Sequence, residues 1–189
     1  MHIGDKIRGG FYSVLMLINK WTGWNRRILK GLKSPAVSFY SLQAMDNRGK
    51  NFDFSDLRGK KVLVVNIASG CGYTPQMQSL QSLYKKKSDA FQLIAFPSPD
   101  FRNQEKLNDM EIIDFCALQG VTFPVMKKCR VKKGDDQHPV FYWLTHAAAN
   151  GWNDRDPDWN FCKYLISEEG SLLNVFGPGI DPREIDSYL

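Results

Sequence analysis

Hydrophobic residues form two short continuous runs near the middle of this chain. Residues 62–65 (VLVV) and 91–96 (FQLIAF) are bounded by turn residues, which is typical of strands buried on both faces. Between them, apolar residues recur at helical spacing over residues 75–87. Pro75 suits the first turn of that helix, because the N–H that proline lacks is not needed there. The order strand, helix, strand predicts a βαβ unit with two parallel strands.

Weaker patterns predict the remaining elements. A turn signal at residues 46–49 predicts a hairpin between strands at 36–42 and 51–54. Further along, the patterns predict helices at 109–118 and 139–149, hairpin strands at 159–167 and 172–176, and a last helix capped by Asp181. Together these elements predict an α/β domain with a central mixed sheet and helices on both faces.

The N-terminal 34 residues differ from the rest of the chain. They carry seven Lys or Arg and one acid, a charge of +6, so residues 35–189 carry −1 of the total of +5. Pro35 marks the expected start of the domain, which makes residues 1–34 a basic, apolar helical extension. Two interpretations stay open: a helix docked on the domain, or an amphipathic helix on an anionic membrane surface.

Neither a membrane span nor a secretion signal is expected. The apolar run at residues 11–18 is shorter than the roughly 20 residues that cross a bilayer. It continues into Asn19 and Lys20 instead of a cleavage site of small residues. We therefore expect a cytoplasmic protein, with membrane association through residues 1–34 as the open alternative.

Composition and charge exclude several other classes. A hydrophobic content of 43% argues against disorder. Four cysteines without a CxxC pair predict neither a disulfide scaffold nor a zinc site. Because the positive charge belongs to the N-terminal extension, a nucleic-acid partner is not expected. No metal, nucleotide or flavin motif occurs, so no cofactor is expected.

Cys71 is the first candidate for chemistry. It lies in the polar turn after the first buried strand and just before, or at, the start of the predicted helix. Unpaired N–H groups and the helix dipole favour a thiolate there, and the thiolate is the nucleophile. The alternative is a small buried apolar cysteine. Thr74 stands where a CxxC dithiol would have its second cysteine, so Cys71 cannot close a local disulfide.

Four segments resemble motifs of the glutathione peroxidase family, in the order in which the family has them. They are residues 66–74 (NIASGCGYT), Phe96-Pro97 with Phe101 and Gln104-Glu105, residues 122–128 (TFPVMKK) and residues 159–165 (WNFCKYL). The resemblance covers roughly residues 36–189. It implies a thioredoxin-like fold and a thiol peroxidase that reduces hydrogen peroxide or organic hydroperoxides.

The resemblance also implies a catalytic tetrad of Cys71, Gln104, Trp159 and Asn160. The thiolate would attack a peroxide oxygen, and the three neutral side chains would donate hydrogen bonds to the developing charge. Without the resemblance, Trp159 could equally be a core residue and Gln104 a surface helix cap.

Cys116 matches the resolving cysteine of thioredoxin-dependent members. A disulfide between Cys71 and Cys116 would be reduced by thioredoxin or a similar dithiol protein. The alternative is a buried core cysteine, the role expected for Cys129 and Cys162. The stretch between Leu144 and Trp159 lacks the longer loop of tetrameric members, which favours a monomer and favours thioredoxin over glutathione.

The chain departs from the family pattern at Pro99-Asp100 and at Arg102-Asn103. These changes could reshape the loop that delivers Gln104. Two other functions also stay open: a membrane-associated thiol redox sensor and a non-catalytic thioredoxin-fold interaction module.

Overall fold

A computed structural model of the chain describes residues 24–189. The apolar run at residues 11–18 and most of the proposed membrane-contacting segment lie outside the described residues. Within the described range, no helix combines the length and the apolar character needed to cross a bilayer.

A five-stranded mixed sheet forms the centre of the fold. The strands along the described chain are β1 (Ile28–Lys30), β2 (Gln43–Met45), β3 (Asn51–Asp53), β4 (Lys61–Ile67), β5 (Phe91–Pro97), β6 (Lys163–Ile166) and β7 (Leu172–Phe176). The order in the main sheet is β1-β7-β6-β4-β5, and β2 and β3 form a separate hairpin. β4 and β5 are parallel, as the βαβ pattern predicts, and the other pairs are antiparallel.

Five α-helices lie between or after the strands in the described part of the chain. They are α1 (Gln76–Lys87), α2 (Asp109–Leu118), α3 (Pro139–Thr145), α4 (Ala147–Asn150) and α5 (Pro182–Ile185). Asp181 caps α5, as its sequence predicts, and forms a capping box with Glu184. Asn108 forms an equivalent box at the start of α2. These local signals fix where both helices begin.

The sheet separates two apolar cores, because successive side chains of a strand point to opposite faces. On β4, Val62 and Val64 belong to one core, and Leu63, Val65 and Ile67 belong to the other. Both faces of β4 are therefore covered, which explains the continuous apolar run at residues 62–65. The α/β class and thioredoxin-like architecture expected from the sequence are therefore correct.

Two predicted elements near the N-terminus are corrected. Residues 28–30, assigned to a helical extension, instead form β1 and pair with β7 at the edge of the main sheet. Residues 36–42, predicted as a strand, contain a 3-10 helix at Phe39–Ser41, and β2 begins only at Gln43. Phe39 and Tyr40 are consecutive and both buried, which a strand with one solvent face cannot accommodate.

Two predicted elements near the C-terminus are shorter than expected. The predicted helix 139–149 is interrupted at His146, whose backbone is extended and separates α3 from α4. The predicted strand 159–167 is reduced to Lys163–Ile166. Residues 159–162 form a turn instead, with Phe161 at a φ of 66°. That turn presents the side chains of the Trp-Asn motif.

Candidate active site

Cys71 lies in the loop that joins the carboxyl end of β4 to α1. Its side chain is buried, with 6% exposed. The backbone N–H of Tyr73 donates to Cys71 Sγ at 3.5 Å. A backbone donor aimed at sulfur stabilises the anionic form of the thiol. The loop therefore suits a nucleophilic cysteine shielded from bulk water.

The position of Cys71 relative to the helix differs from the prediction. Residues 72–75 form turns, and α1 begins only at Gln76. The amide that reaches the sulfur belongs to a turn and not to the first turn of α1. Thr74 closes this turn, because its hydroxyl accepts from Cys71 N–H at 3.2 Å and donates to the carbonyl of Ala68 at 2.8 Å.

Gln104 reaches the Cys71 loop through its backbone. Gly70 N–H donates to the carbonyl of Gln104 at 3.0 Å. A Cβ atom at Gly70 would lie 2.8 Å from that oxygen, so only glycine permits the approach. The Gln104 side chain turns toward Asn160, whose Nδ2 donates to Gln104 Oε1 at 3.1 Å.

Trp159 and Asn160 occupy the turn before β6. The Trp159 ring packs against Phe101 at 5.4 Å between centroids, and the Arg102 guanidinium lies 5.8 Å from the Trp159 centroid. Trp159 also packs against the apolar core that contains Cys71. Asn160 is fully buried. Within residues 24–189 its Oδ1 has no hydrogen-bond partner, which is unusual for a buried amide.

Asn66 on β4 holds this turn through two hydrogen bonds to its backbone. Its Nδ2 donates to the carbonyl of Trp159 at 3.0 Å, and its Oδ1 accepts from the N–H of Cys162 at 3.1 Å. Sequence reasoning included Asn66 in a motif but gave it no role. The available signal was a lone amide in an apolar strand, which must find partners when buried.

Glu105 is a second residue that sequence reasoning left without a role. The carboxylate is almost fully buried. It accepts from the N–H and the hydroxyl of Ser69, each at 2.8 Å, and from Leu107 N–H at 3.1 Å. Because Ser69 precedes Cys71 by two residues, Glu105 ties the loop after β5 to the loop that carries the thiol.

Cys116 lies on α2 and belongs to the same apolar core as Cys71. None of the four cysteines forms a disulfide. Burial, with a contribution from the Glu105 carboxylate, raises the pKa of Cys116 to about 11. At neutral pH Cys116 is therefore a protonated thiol in this conformation, and it must leave its site to act as a nucleophile.

The other two cysteines, Cys129 and Cys162, also have raised pKa values. Burial raises the pKa of Cys129 to about 12 and that of Cys162 to about 11. Such thiols are poor nucleophiles. Among the described residues, no cluster of three or more His, Cys, Asp or Glu side chains could hold a metal ion.

The sequence is similar to those of a known protein family. The family model for glutathione peroxidase matches residues 39–145. Glutathione peroxidase-like peroxiredoxin HYR1 of Saccharomyces cerevisiae is 43% identical over 153 residues, which cover 80% of this chain and 93% of the relative. Glutathione peroxidase homolog BsaA of Staphylococcus epidermidis is 39% identical over 154 residues, which cover 80% of this chain and 96% of the relative.

Solved structures agree as well. The crystal structure of T. cruzi GPX1 superimposes with a TM-score of 0.62 at 28% identity, covering 80% of this chain and 94% of that one. A thioredoxin family protein from Chlorobium tepidum, at 17% identity and a TM-score of 0.60, covers 84% of this chain and 95% of its own, and shows the fold alone. This chain belongs to the glutathione peroxidase family.

Proposed function

We propose that this protein reduces hydrogen peroxide or organic hydroperoxides with the thiol of Cys71, assisted by Gln104, Trp159 and Asn160. The observation that carries the proposal is the buried Cys71 sulfur, which receives a backbone hydrogen bond from Tyr73 at 3.5 Å. Gln104, which pairs with Asn160, is bonded through its carbonyl to Gly70 of the same loop. A thiolate and neutral donors at one buried site suit attack on a neutral peroxide.

The chemical step uses the thiolate as the nucleophile. The sulfur lone pair attacks one peroxide oxygen, an S–O bond forms, and the O–O bond breaks. Sulfur is oxidised to a sulfenic acid, and the other oxygen leaves as alkoxide or hydroxide and takes up a proton. The amides of Gln104 and Asn160 and the indole N–H of Trp159 stabilise charge on sulfur and on the leaving oxygen without a permanent cation.

Cys116 completes the proposed cycle. After α2 opens locally, the Cys116 thiol loses its proton and attacks the oxidised sulfur of Cys71; an S–S bond forms, the S–O bond breaks, and the departing hydroxide takes up a proton to become water. A dithiol protein of the thioredoxin type then reduces the disulfide, and glutathione is the alternative reductant. The relatives named peroxiredoxins support a protein thiol as the electron donor.

Two cysteine variants test the cycle. With Cys71→Ser we expect loss of peroxide consumption. With Cys116→Ala we expect one turnover of Cys71 oxidation, followed by loss of turnover driven by thioredoxin. Cys129→Ser is the matched control and should retain both activities. Retained peroxide consumption in Cys71→Ser would remove the proposal, and unchanged thioredoxin-driven turnover in Cys116→Ala would remove the resolving role alone.

The monomeric state and contact of residues 1–34 with anionic membranes are further proposals from the sequence. The connection from α3 to Trp159 is occupied by α4 and a short loop, which suits a monomer. The mass in solution and flotation with anionic vesicles at low salt test the two proposals separately.

A further inference from the structure

A segment that precedes the matched family region is built into the main sheet. The family match begins at residue 39, whereas residues 25–31 run alongside residues 173–179. Beyond the strand pairing, Gly31 N–H donates to the carbonyl of Leu173 at 3.1 Å. At the other end, the N–H groups of Gly177 and Gly179 donate to the carbonyls of Arg27 and Asn25, each at 2.7 Å. We call residues 25–31 the N-terminal clamp.

One end of the clamp reaches the Cys71 loop. The buried Asn25 side chain donates through Nδ2 to the hydroxyl of Tyr73. Tyr73 is the residue whose N–H points at Cys71 Sγ. A Cβ atom at Gly179 would lie 2.9 Å from Asn25 Oδ1, so the glycine lets Asn25 approach closely. A single residue, Tyr73, therefore connects Asn25 to the Cys71 sulfur by hydrogen bonds.

Arg27, two residues further along the clamp, contacts the residue before Trp159. Arg27 Nη2 donates to both carboxylate oxygens of Asp158 at 3.2 Å. Both side chains are largely buried, with 30% and 20% exposed, so solvent screens the pair less than a surface pair. Asp158 immediately precedes Trp159. The clamp thus contacts the Cys71 loop and the Trp159 turn from the same short segment.

We propose that Asn25 and Arg27 are positioning residues, which hold the Cys71 loop and the Trp159 turn at the separation that the reaction needs. The inference rests on the proposed role of Cys71 and extends it to residues outside the family match. The two loops belong to distant parts of the sequence, and small displacements between reacting groups reduce rates strongly. A single segment that contacts both loops restricts their movement relative to each other.

The experiment compares Asn25→Ala and Arg27→Ala with Arg26→Ala. Arg26 is the matched control, because it also lies in the clamp and forms an ion pair, with Glu184 at 2.7 Å, but touches neither catalytic loop. The readout is the alkylation rate of Cys71 by iodoacetamide as a function of pH. It is measured in the Cys116→Ala background, with mass mapping of the modified residue.

We expect Asn25→Ala and Arg27→Ala to slow alkylation about fivefold at neutral pH, the effect of losing one ordinary hydrogen bond. For Asn25→Ala the midpoint of the pH profile should also move up, because Tyr73 N–H holds the thiolate less firmly. Tyr73→Phe should slow alkylation and move the midpoint as much as Asn25→Ala does. The double variant should alkylate no more slowly than either single variant. Arg27→Lys should recover much of the rate.

If Asn25→Ala, Arg27→Ala and Tyr73→Phe have the same alkylation rates and pH profiles as Arg26→Ala, the proposed positioning role of the clamp is wrong. If an alanine variant does not fold, Tyr73→Phe and Arg27→Met decide the matter, because both retain most of the buried volume and lose the contact with Asn25 or Asp158. Alkylation requires no peroxide. A wild-type protein that alkylates as expected but does not reduce peroxide would contradict the proposed function and leave the clamp standing.

Discussion

Asn66 places a buried amide in an otherwise apolar stretch of β4, and that amide holds the Trp159 turn. Both of its side-chain groups are used, one on the carbonyl of Trp159 and one on the N–H of Cys162. The orientation of the indole and of the neighbouring Asn160 therefore depends on a residue in the sheet. A rigid strand positions a side chain more accurately than a loop does.

His138 is a buried histidine outside the catalytic cluster. Its Nδ1 accepts from Val140 N–H at 3.2 Å as the N-cap of α3, and its ring packs edge-on against Phe96. Burial lowers the pKa of His138 from 6.5 to about 4. The imidazole is therefore neutral in the folded protein at neutral pH, which suits its role as a hydrogen-bond acceptor.

This pKa predicts a loss of stability in acid. The unfolded chain binds a proton below about pH 6.5, whereas the folded chain binds it only near pH 4. Stabilisation from neutral His138 is complete above pH 6.5 and is lost as pH falls toward 4, by about 3 kcal/mol. Denaturant unfolding between pH 7 and 4 measures the slope. His138→Asn retains an N-cap acceptor and should flatten the slope; an unchanged slope would contradict the assignment.

The residues of the site differ in how far the sequence could reveal them. Cys71, Gln104, Trp159 and Asn160 were identified by motif resemblance. Asn25 could not be identified in this way, because its contact with Tyr73 depends on β1 pairing with β7. A contact between segments so far apart leaves no local pattern.

At the scale of elements, α2 is weakly anchored for a helix that carries a core cysteine. Its buried residues are Ile112 and Cys116, while Met110 and Leu118 are largely exposed, Leu118 by 86%. A helix with few buried apolar contacts opens locally at a lower free-energy cost than the rest of the fold. This construction suits the local opening that the proposed resolving role of Cys116 requires.

Ile112→Ala tests whether opening of α2 limits disulfide formation. Loss of its side chain should cost about 2–4 kcal/mol, much of it from the state in which α2 is closed. We expect the Cys71–Cys116 disulfide to form on the order of tenfold faster after a pulse of peroxide. The measurement is the loss of both free thiols with time, in mixtures quenched with alkylating agent.

Leu80→Ala on α1 is the matched control, because Leu80 is fully buried in the same apolar core. It should lower global stability by a similar amount without accelerating disulfide formation. Equal acceleration in both variants would mean that global loosening, and not opening of α2, controls the step.

Element prediction was accurate where local chemistry decides. α2 has the predicted bounds, since Asn108 and Glu111 cap it locally, and β7 covers the predicted residues. It was inaccurate where tertiary contacts decide. β1 contains three residues, too few for a recognisable period, and is a strand because β7 offers it an edge.

At the scale of the whole molecule, the long strands β5 and β7 each have a further segment on their outer side, and the edge beyond β7 is the three-residue strand β1. Beyond β5, residues 124–126 bond to Ala95, with Ala95 N–H donating to Pro124 at 3.0 Å and Met126 N–H donating back at 2.8 Å. On the other side β1 covers β7. Open sheet edges pair with other chains, so covering them protects against aggregation.

Leu29→Pro tests the cover on β7. Leu29 lies at the centre of β1 opposite Val175, where proline cannot donate to the ladder. We expect a loss of about 2 kcal/mol in the free energy of unfolding and increased self-association, measured by denaturant unfolding and light scattering. Leu32→Pro is the control, because Leu32 lies outside the strand and is exposed. Equal behaviour of the two variants would contradict a protective role for β1.

The pairing of β1 with β7 has a consequence for the newly made chain. Leu29 and the Asn174 side chain that contacts its carbonyl are 145 residues apart in sequence. Synthesis proceeds from the N-terminus, so β1 has no partner until β7 has left the ribosome. Until then nothing fixes the clamp beside Tyr73 and Asp158. If the clamp positions the Cys71 loop as proposed, Cys71 gains its full reactivity only after β7 has been made and has paired with β1.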